Sequence, residues 1–206
     1  MNTLYEKSDS LNSPIECFMD YGSRCSFPIK PHWHYFMEII YIFEGHAEVR
    51  SGSTVISAGR GDMALFHPKA VHSISSDSPD DLRYGVIKLD INCINMTADY
   101  APKFRSIFSF AEQRGMSIYF DNAQTEAIEA SRIFENCIKE MQVRRYGYND
   151  IIRSDISCLL VGVLRLWQES KFTIDSEVFA DDGTRFVLET LQHLGGGIVR
   201  CISMHP

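Results

Sequence analysis

No two cysteines of this chain are spaced as a CxxC pair, although there are six: Cys17, Cys25, Cys93, Cys137, Cys158 and Cys201. That spacing argues against a zinc site built from them. Several, notably Cys137 and Cys158, fall inside apolar patterns, so buried free thiols in a reducing compartment are expected. No apolar run is long enough to span a membrane. Met1 to Ser13 is polar and lacks the apolar stretch of a signal peptide, which leaves a cytoplasmic location as the expectation. A surplus of positive charge is missing as well. There are 20 Lys and Arg against 27 Asp and Glu, a net charge of −7. Nucleic-acid surfaces are usually basic, so none is expected to dominate this chain. Internal repeats and low-complexity tracts are absent too.

What is present is 206 residues, 45% of them hydrophobic, enough for a sizeable core and one ordinary domain or somewhat more. The first half reads as short strands separated by turns. Ile15–Tyr21, Phe36–Phe43, Ala47–Arg50, Thr54–Ser57, Met63–Phe66, Val71–Ile74 and Arg83–Asp90 are the expected strands. Glycine turns at Gly45, Gly52 and Gly61 separate them, a pattern of antiparallel sandwiches and barrels.

The second half changes period. Ala130, Ile133, Phe134, Cys137, Ile138 and Met141 mark one buried helical face. Asn149-Asp150 offers an N-cap for a further helix reaching Glu169. Its apolar arc, Ile152, Ile156, Leu159, Leu160, Val163, Leu164 and Trp167, is wide enough for more than one partner element, and a twofold partner is expected. A short link through Tyr146-Gly147-Tyr148 favours an antiparallel helical hairpin. A preceding helix is expected over Ala101–Arg114. Beyond Ser170 the chain reads as a polar linker, then a short helix over Thr184–Leu194 ended by Gly195 to Gly197.

The most chemically specific group is His32, His34, Glu38 and His72. If His32, His34 and Glu38 share a strand, alternation projects them to one face, and His72 follows one hairpin later. Three imidazoles and a carboxylate suit a divalent transition metal, with zinc, nickel, iron and manganese all open. The plain alternative is hydrogen-bonding residues of a pocket or its rim. Alternation also nominates Phe36 and Ile40, with Phe66 beside them in the hairpin, as cavity-lining residues. Tyr84 joins that ligand-binding set. Trp33, Tyr35, Met37 and Ile39 should face the opposite side. His67 reads as a turn or rim residue, His46 as an exposed hairpin residue and Arg83 as a solvent-facing charge. His193 and His205 carry no assignment.

These residues resemble a known family. His32-x-His34, three residues, Glu38, six residues and Gly45 is similar to the first conserved motif of the cupin superfamily. Gly61-Asp62, Pro68 and His72 resemble the second motif, but Pro68-Lys69-Ala70-Val71-His72 is one residue shorter than usual and lacks the glycine. That contracted form resembles the sensor domains of AraC-type transcription regulators, over about Pro31 to Ile74. The resemblance implies a mainly β fold, a cupin double-stranded β-helix barrel followed by an antiparallel helical hairpin. It divides the chain into an effector-binding barrel, 1–95, a helical dimerisation region, 96–172, and a linker with the start of a helix-turn-helix domain, 173–206. It implies a small-molecule effector, a homodimer through the helices, and DNA contact only through the following domain. The chain is expected to be truncated where that domain would begin. The competing implication is a metal-dependent cupin enzyme of dioxygenase or isomerase type. Tyr84 and His46 are then the nearest acid–base groups, with nothing specific in their spacing, and no catalytic residue is assigned. On the regulator reading, these 206 residues give no sequence-selective mobility shift with operator DNA. Tight, selective binding contradicts that expectation.

Overall fold

The computed structural model describes residues 4–6, 13–94 and 103–173. Eight strands come first: β1 (Ile15–Tyr21), β2 (Ile29–His32), β3 (Met37–Glu44), β4 (His46–Ser51), β5 (Thr54–Gly59), β6 (Met63–Phe66), β7 (His72–Ser75) and β8 (Arg83–Leu89). Then follow α1 (Phe104–Gln113), β9 (Tyr119–Phe120), α2 (Asn122–Ala127), α3 (Ala130–Val143) and α4 (Tyr148–Glu169). The β3–β4 turn is made at Gly45, whose φ of +78° suits glycine and whose missing Cβ leaves room for the Asp81 carbonyl.

One sheet has the order β1-β8-β3-β6-β9 and the other β2-β7-β4-β5, with every pairing antiparallel. Apart from the β4–β5 hairpin, successive strands through β8 switch between sheets. That interleaving is the double-stranded β-helix of cupin barrels, the expected fold class, with helices after it.

Alternation divides the core in two. On β3, Met37, Ile39, Tyr41 and Phe43 face a core shared with the helices. Ile40 and Ile42 face the barrel interior, with Tyr84 and Val86 of β8 and Phe66 of β6. Both faces are apolar, so β3 is buried nearly throughout. The expected face of α3 is buried from Ala130 to Ile138. It rests on the sheet at Gly85, where an added Cβ would sit 2.8 Å from Phe134 Cδ1 and 3.0 Å from Phe43 Cε2. The wide arc of α4 contacts several elements of its own chain. Trp167 meets Phe108 of α1 and Phe120 of β9, while Asn136 of α3 donates to Asp155 of α4 across an antiparallel hairpin.

Some boundaries differ from expectation. Strand β2, the two-residue β9 and the six-residue α2 were not expected. Helix α2 starts from a capping box in which Asp121 and Gln124 bond each other's backbone N–H. Helix α4 begins at Gly147, in the left-handed region, rather than at an Asn149-Asp150 cap. Helix α1 starts at Phe104 and not at Ala101. Cys17 and Cys137 are buried and Cys93 is half-buried, but Cys158 is exposed because it falls off the buried arc of α4. Thr184–Leu194, Cys201, His193 and His205 lie outside the described residues. Among the described residues no helix is long and apolar enough to cross a membrane. Since Gly85 sets the approach of α3, Gly85→Val is expected to cost about 1–3 kcal/mol by overpacking, read as a lower urea midpoint. An unchanged midpoint removes that account of the contact.

Candidate functional site

Strand register builds the site. On β2 and β7, His32 and His72 are direct cross-strand partners. On β3 and β8, Glu38 faces Lys88. His34 lies in the connection between β2 and β3. The expectation that His32, His34 and Glu38 share one strand is therefore corrected. The chain leaves one sheet after His32 and enters the other at Met37, so face-to-face packing of the sheets makes them converge. The four residues do come together, their ligand atoms lying within 4.8 Å of one another. His34, Glu38 and His72 are buried, with exposures of 2%, 3% and 2%, while His32 is half-buried.

Each imidazole is oriented by backbone. Nδ1 of His32 lies 3.0 Å from the Lys30 carbonyl, that of His34 3.0 Å from Phe36 and that of His72 2.9 Å from Ala70. A carbonyl only accepts, so each Nδ1 is placed to donate; Nε2 of His34 and of His72 turns toward Glu38, and that of His32 toward Glu6. Nε2 of His34 is 2.9 Å from Glu38 Oε2, and that of His72 is 3.5 Å away without a hydrogen bond. His34 thus has an acceptor at both nitrogens, whereas a neutral ring has one N–H. Backbone-fixed rings with inward Nε2 atoms are the usual support of histidine metal ligands, so the donor set fits a divalent ion. Donors bonded to one ion at about 2.1 Å lie no more than about 4.2 Å apart, so the widest pair would close slightly on loading.

Positive charge is scarce. Lys88 Nζ lies 3.4 Å from Glu38 Oε2 and 3.1 Å from Glu6 Oε2, and His32 Nε2 is 3.0 Å from the same Glu6 oxygen. Burial pushes the Glu38 carboxyl up, but His34, His72 and Lys88 outweigh it and hold it well below the usual range. Contact with His32, opposed by burial and helped by Lys88, brings Glu6 down to about 2. Burial lowers the basicity of His32 and Lys88, but their carboxylates win and both are raised.

Beside the cluster opens a cavity of about 1040 Å³. Of the expected ligand-binding set only Tyr84 lines it. Phe36, Ile40 and Phe66 are packed into the barrel interior, where Phe66 stacks on His72 at 4.2 Å. The Tyr84 hydroxyl donates to Asp20 at 3.0 Å, and burial raises its pKa beyond use near neutrality. His46 bonds Ser57 on an exposed hairpin and Arg83 pairs with Glu44, both as expected. Trp33 and Tyr35 cluster with Tyr5 instead of packing under the sheet. His67 departs from a rim role. It is 5% exposed, burial lowers its pKa to about 4, and neither ring nitrogen has a partner among the described residues. It borders a second cavity of about 390 Å³.

Sequence reasoning missed Lys88 and Glu6. The alternation Tyr84, Val86, Lys88 signalled the lysine, whereas no local signal marks Glu6. Glu38 supports the fold above its ordinary value of 4.5, and that support fades as the pH falls through the lowered value. In chelator, Glu38→Met is expected to cost about 3 kcal/mol, because Lys88 keeps only the exposed Glu6. The double variant with Lys88→Met should lose less than the sum in urea denaturation. Strictly additive losses contradict the coupling.

Residues 17–153 match the AraC-like ligand binding domain. Among solved structures, the chain is similar to an RmlC-like cupin from Shewanella frigidimarina, at 17% identity over 36% of this chain and 65% of that one, with a TM-score of 0.31. A cupin 2 conserved barrel domain protein from Salinispora arenicola is 18% identical over 42% and 72%, with a TM-score of 0.30. A variant of Bacillus subtilis oxalate decarboxylase is 20% identical over 45% and 30%, with a TM-score of 0.28. At that level the overlays carry no argument about activity. No curated protein sequence matches the chain. The match across 17–153, covering the barrel and most of its helices, decides the assignment: this chain belongs to the AraC-like ligand binding domain family.

Proposed function

We propose that this chain is the effector-sensing and dimerisation part of an AraC-type transcription regulator, and that the cavity beside Lys88 and His32 receives the effector. The observation that carries the reading is an open cavity with apolar walls and a polar end, inside a barrel of a ligand-binding family. Sensing would work by linkage. An effector that binds one arrangement of the barrel better than another shifts the balance between them. DNA would be read by a separate helix-turn-helix unit. The homodimer expected through the helices would use Val143, Tyr146 and Ile151, the large apolar residues that α3, α4 and their link leave exposed.

A divalent ion, zinc, nickel, iron or manganese, would be held by Nε2 of His32, His34 and His72 and by the Glu38 carboxylate. Bound there, it supplies fixed positive charge and a Lewis-acidic position beside the cavity. The same cluster favours a second reading, a metal-dependent cupin enzyme. Against it, the Tyr84 hydroxyl is tied to Asp20 and His46 to Ser57, which leaves neither poised as acid or base.

Protein purified without a histidine tag is expected to bind one equivalent of Zn²⁺ or Ni²⁺ in calorimetry. His34→Ala and His72→Ala should each weaken it at least about tenfold. Unchanged affinity in either variant refutes the ligand set. A screen of small metabolites in EDTA should find one that stabilises the fold by about 2.7 kcal/mol at a hundred times its Kd. Stabilisation found only with a stoichiometric redox-active metal, together with turnover, establishes the enzyme instead.

A further inference from the structure

Three carboxylates line the cavity, Glu6, Asp20 and Glu38, and one of them, Glu6, comes from a short segment at the start of the chain. Leu4 to Glu6 runs beside Trp33, with the Glu6 N–H donating to the Trp33 carbonyl at 2.9 Å and the Trp33 N–H to the Leu4 carbonyl at 2.8 Å. This places the Glu6 side chain at the polar end of the cavity. Lys88 Nζ donates to Glu6 Oε1 at 3.2 Å and to Oε2 at 3.1 Å. It also forms an ion pair with Glu38 Oε2 at 3.4 Å.

The two sides of this contact are built differently. The side chains of Lys88 and His32 are 14% and 16% exposed, on strands paired within the two sheets. The Glu6 side chain is 46% exposed, on a short segment with two backbone bonds to Trp33. The donors are fixed and the acceptor can be exchanged. Beyond the donors much of the wall is apolar, formed by Phe18, Phe27, Ile29, Ile74 and Val86, while the Asp20 carboxylate on it is held by the Tyr84 hydroxyl and by Arg24. A cationic ligand would meet Lys88 first. A neutral ligand that displaced Glu6 would leave Lys88 with Glu38 alone, a half-paired charge next to a desolvated wall.

We infer that the cavity takes a small organic carboxylate, whose carboxylate replaces that of Glu6 on Lys88 and His32 and whose apolar body lies against Phe18, Ile29 and Val86. This rests on the effector reading above and names the ligand class for it. Ligand and Glu6 exclude one another, because both need the same N–H groups of Lys88.

The test is calorimetry of the full chain in EDTA, with octanoate and phenylacetate against 1-octanol and 2-phenylethanol. Each carboxylate is expected to bind at least tenfold more tightly than its alcohol. Glu6→Gln should tighten the carboxylates a further tenfold and leave the alcohols unchanged, while Lys88→Met should abolish the preference. Alcohols that bind as well as the acids overturn the carboxylate inference and leave the effector reading standing. Carboxylate affinity that is equal or weaker in Glu6→Gln overturns the exchange. Binding that appears only when Zn²⁺ replaces EDTA assigns the carboxylate to the metal and overturns the Lys88 site. If no probe binds either the native chain or Glu6→Gln, the carboxylate inference falls, and the effector reading is decided by the metabolite screen.

Discussion

Glu38 is a carboxylate buried in the middle of a barrel, and the structure can keep it there only by surrounding it. Its partners come from three places: His34 from the β2–β3 connection, His72 from β7 and Lys88 from β8. Removing a charge from water costs several kcal/mol unless partners replace the lost hydration. The pairing of β3 with β8 and the closure of the two sheets over each other are therefore conditions for that residue. The same conditions bring ligand atoms of His32, His34, Glu38 and His72 within 4.8 Å of one another and place Lys88 at the cavity's end. A slip of one residue between β3 and β8 would turn Lys88 toward the helices.

Alternation along β3 connects this site to the helices. Its even-numbered residues, Glu38, Ile40 and Ile42, face the interior, and its odd-numbered ones, Met37, Ile39, Tyr41 and Phe43, face α3 and α4. One core thus continues from the sheet into Phe134, Ile138, Leu160 and Trp167. Gly85 on β8 lies where Phe134 of α3 packs closely on the sheet, so β8 joins the site to the helices. This is a physical route by which occupancy of the barrel could reach the helical surface.

Much of this was legible in the sequence. Strands β1 and β6 match expectation residue for residue, because apolar runs between glycine turns leave little choice. The buried positions of α3 and α4 follow from their period. What was missed lacks such signals. Strand β2 lies at the edge of its sheet and contains Pro31, which reads as a break because proline cannot donate to a ladder. Helix α2 buries only Thr125 and shows no apolar period. The four-residue cluster was found with the wrong geometry, since a shared strand was assumed where two sheets meet. Phe36, Ile40 and Phe66 were assigned to a cavity that opens instead toward β1, β2 and β8. Contact between Glu6 and Lys88, 82 residues apart, depends on the finished barrel and no local rule reveals it.

The fit of the cluster to a divalent ion rests on three imidazoles that backbone carbonyls orient beside Glu38. Long-range ¹H–¹⁵N spectroscopy of the histidine rings tests this directly, without and with Zn²⁺. The account predicts that His32, His34 and His72 keep a proton on Nδ1 in both states, and that their Nε2 resonances alone move when the ion is added. A proton found only on Nε2 of His34 or His72, or Nε2 resonances indifferent to Zn²⁺, would contradict it.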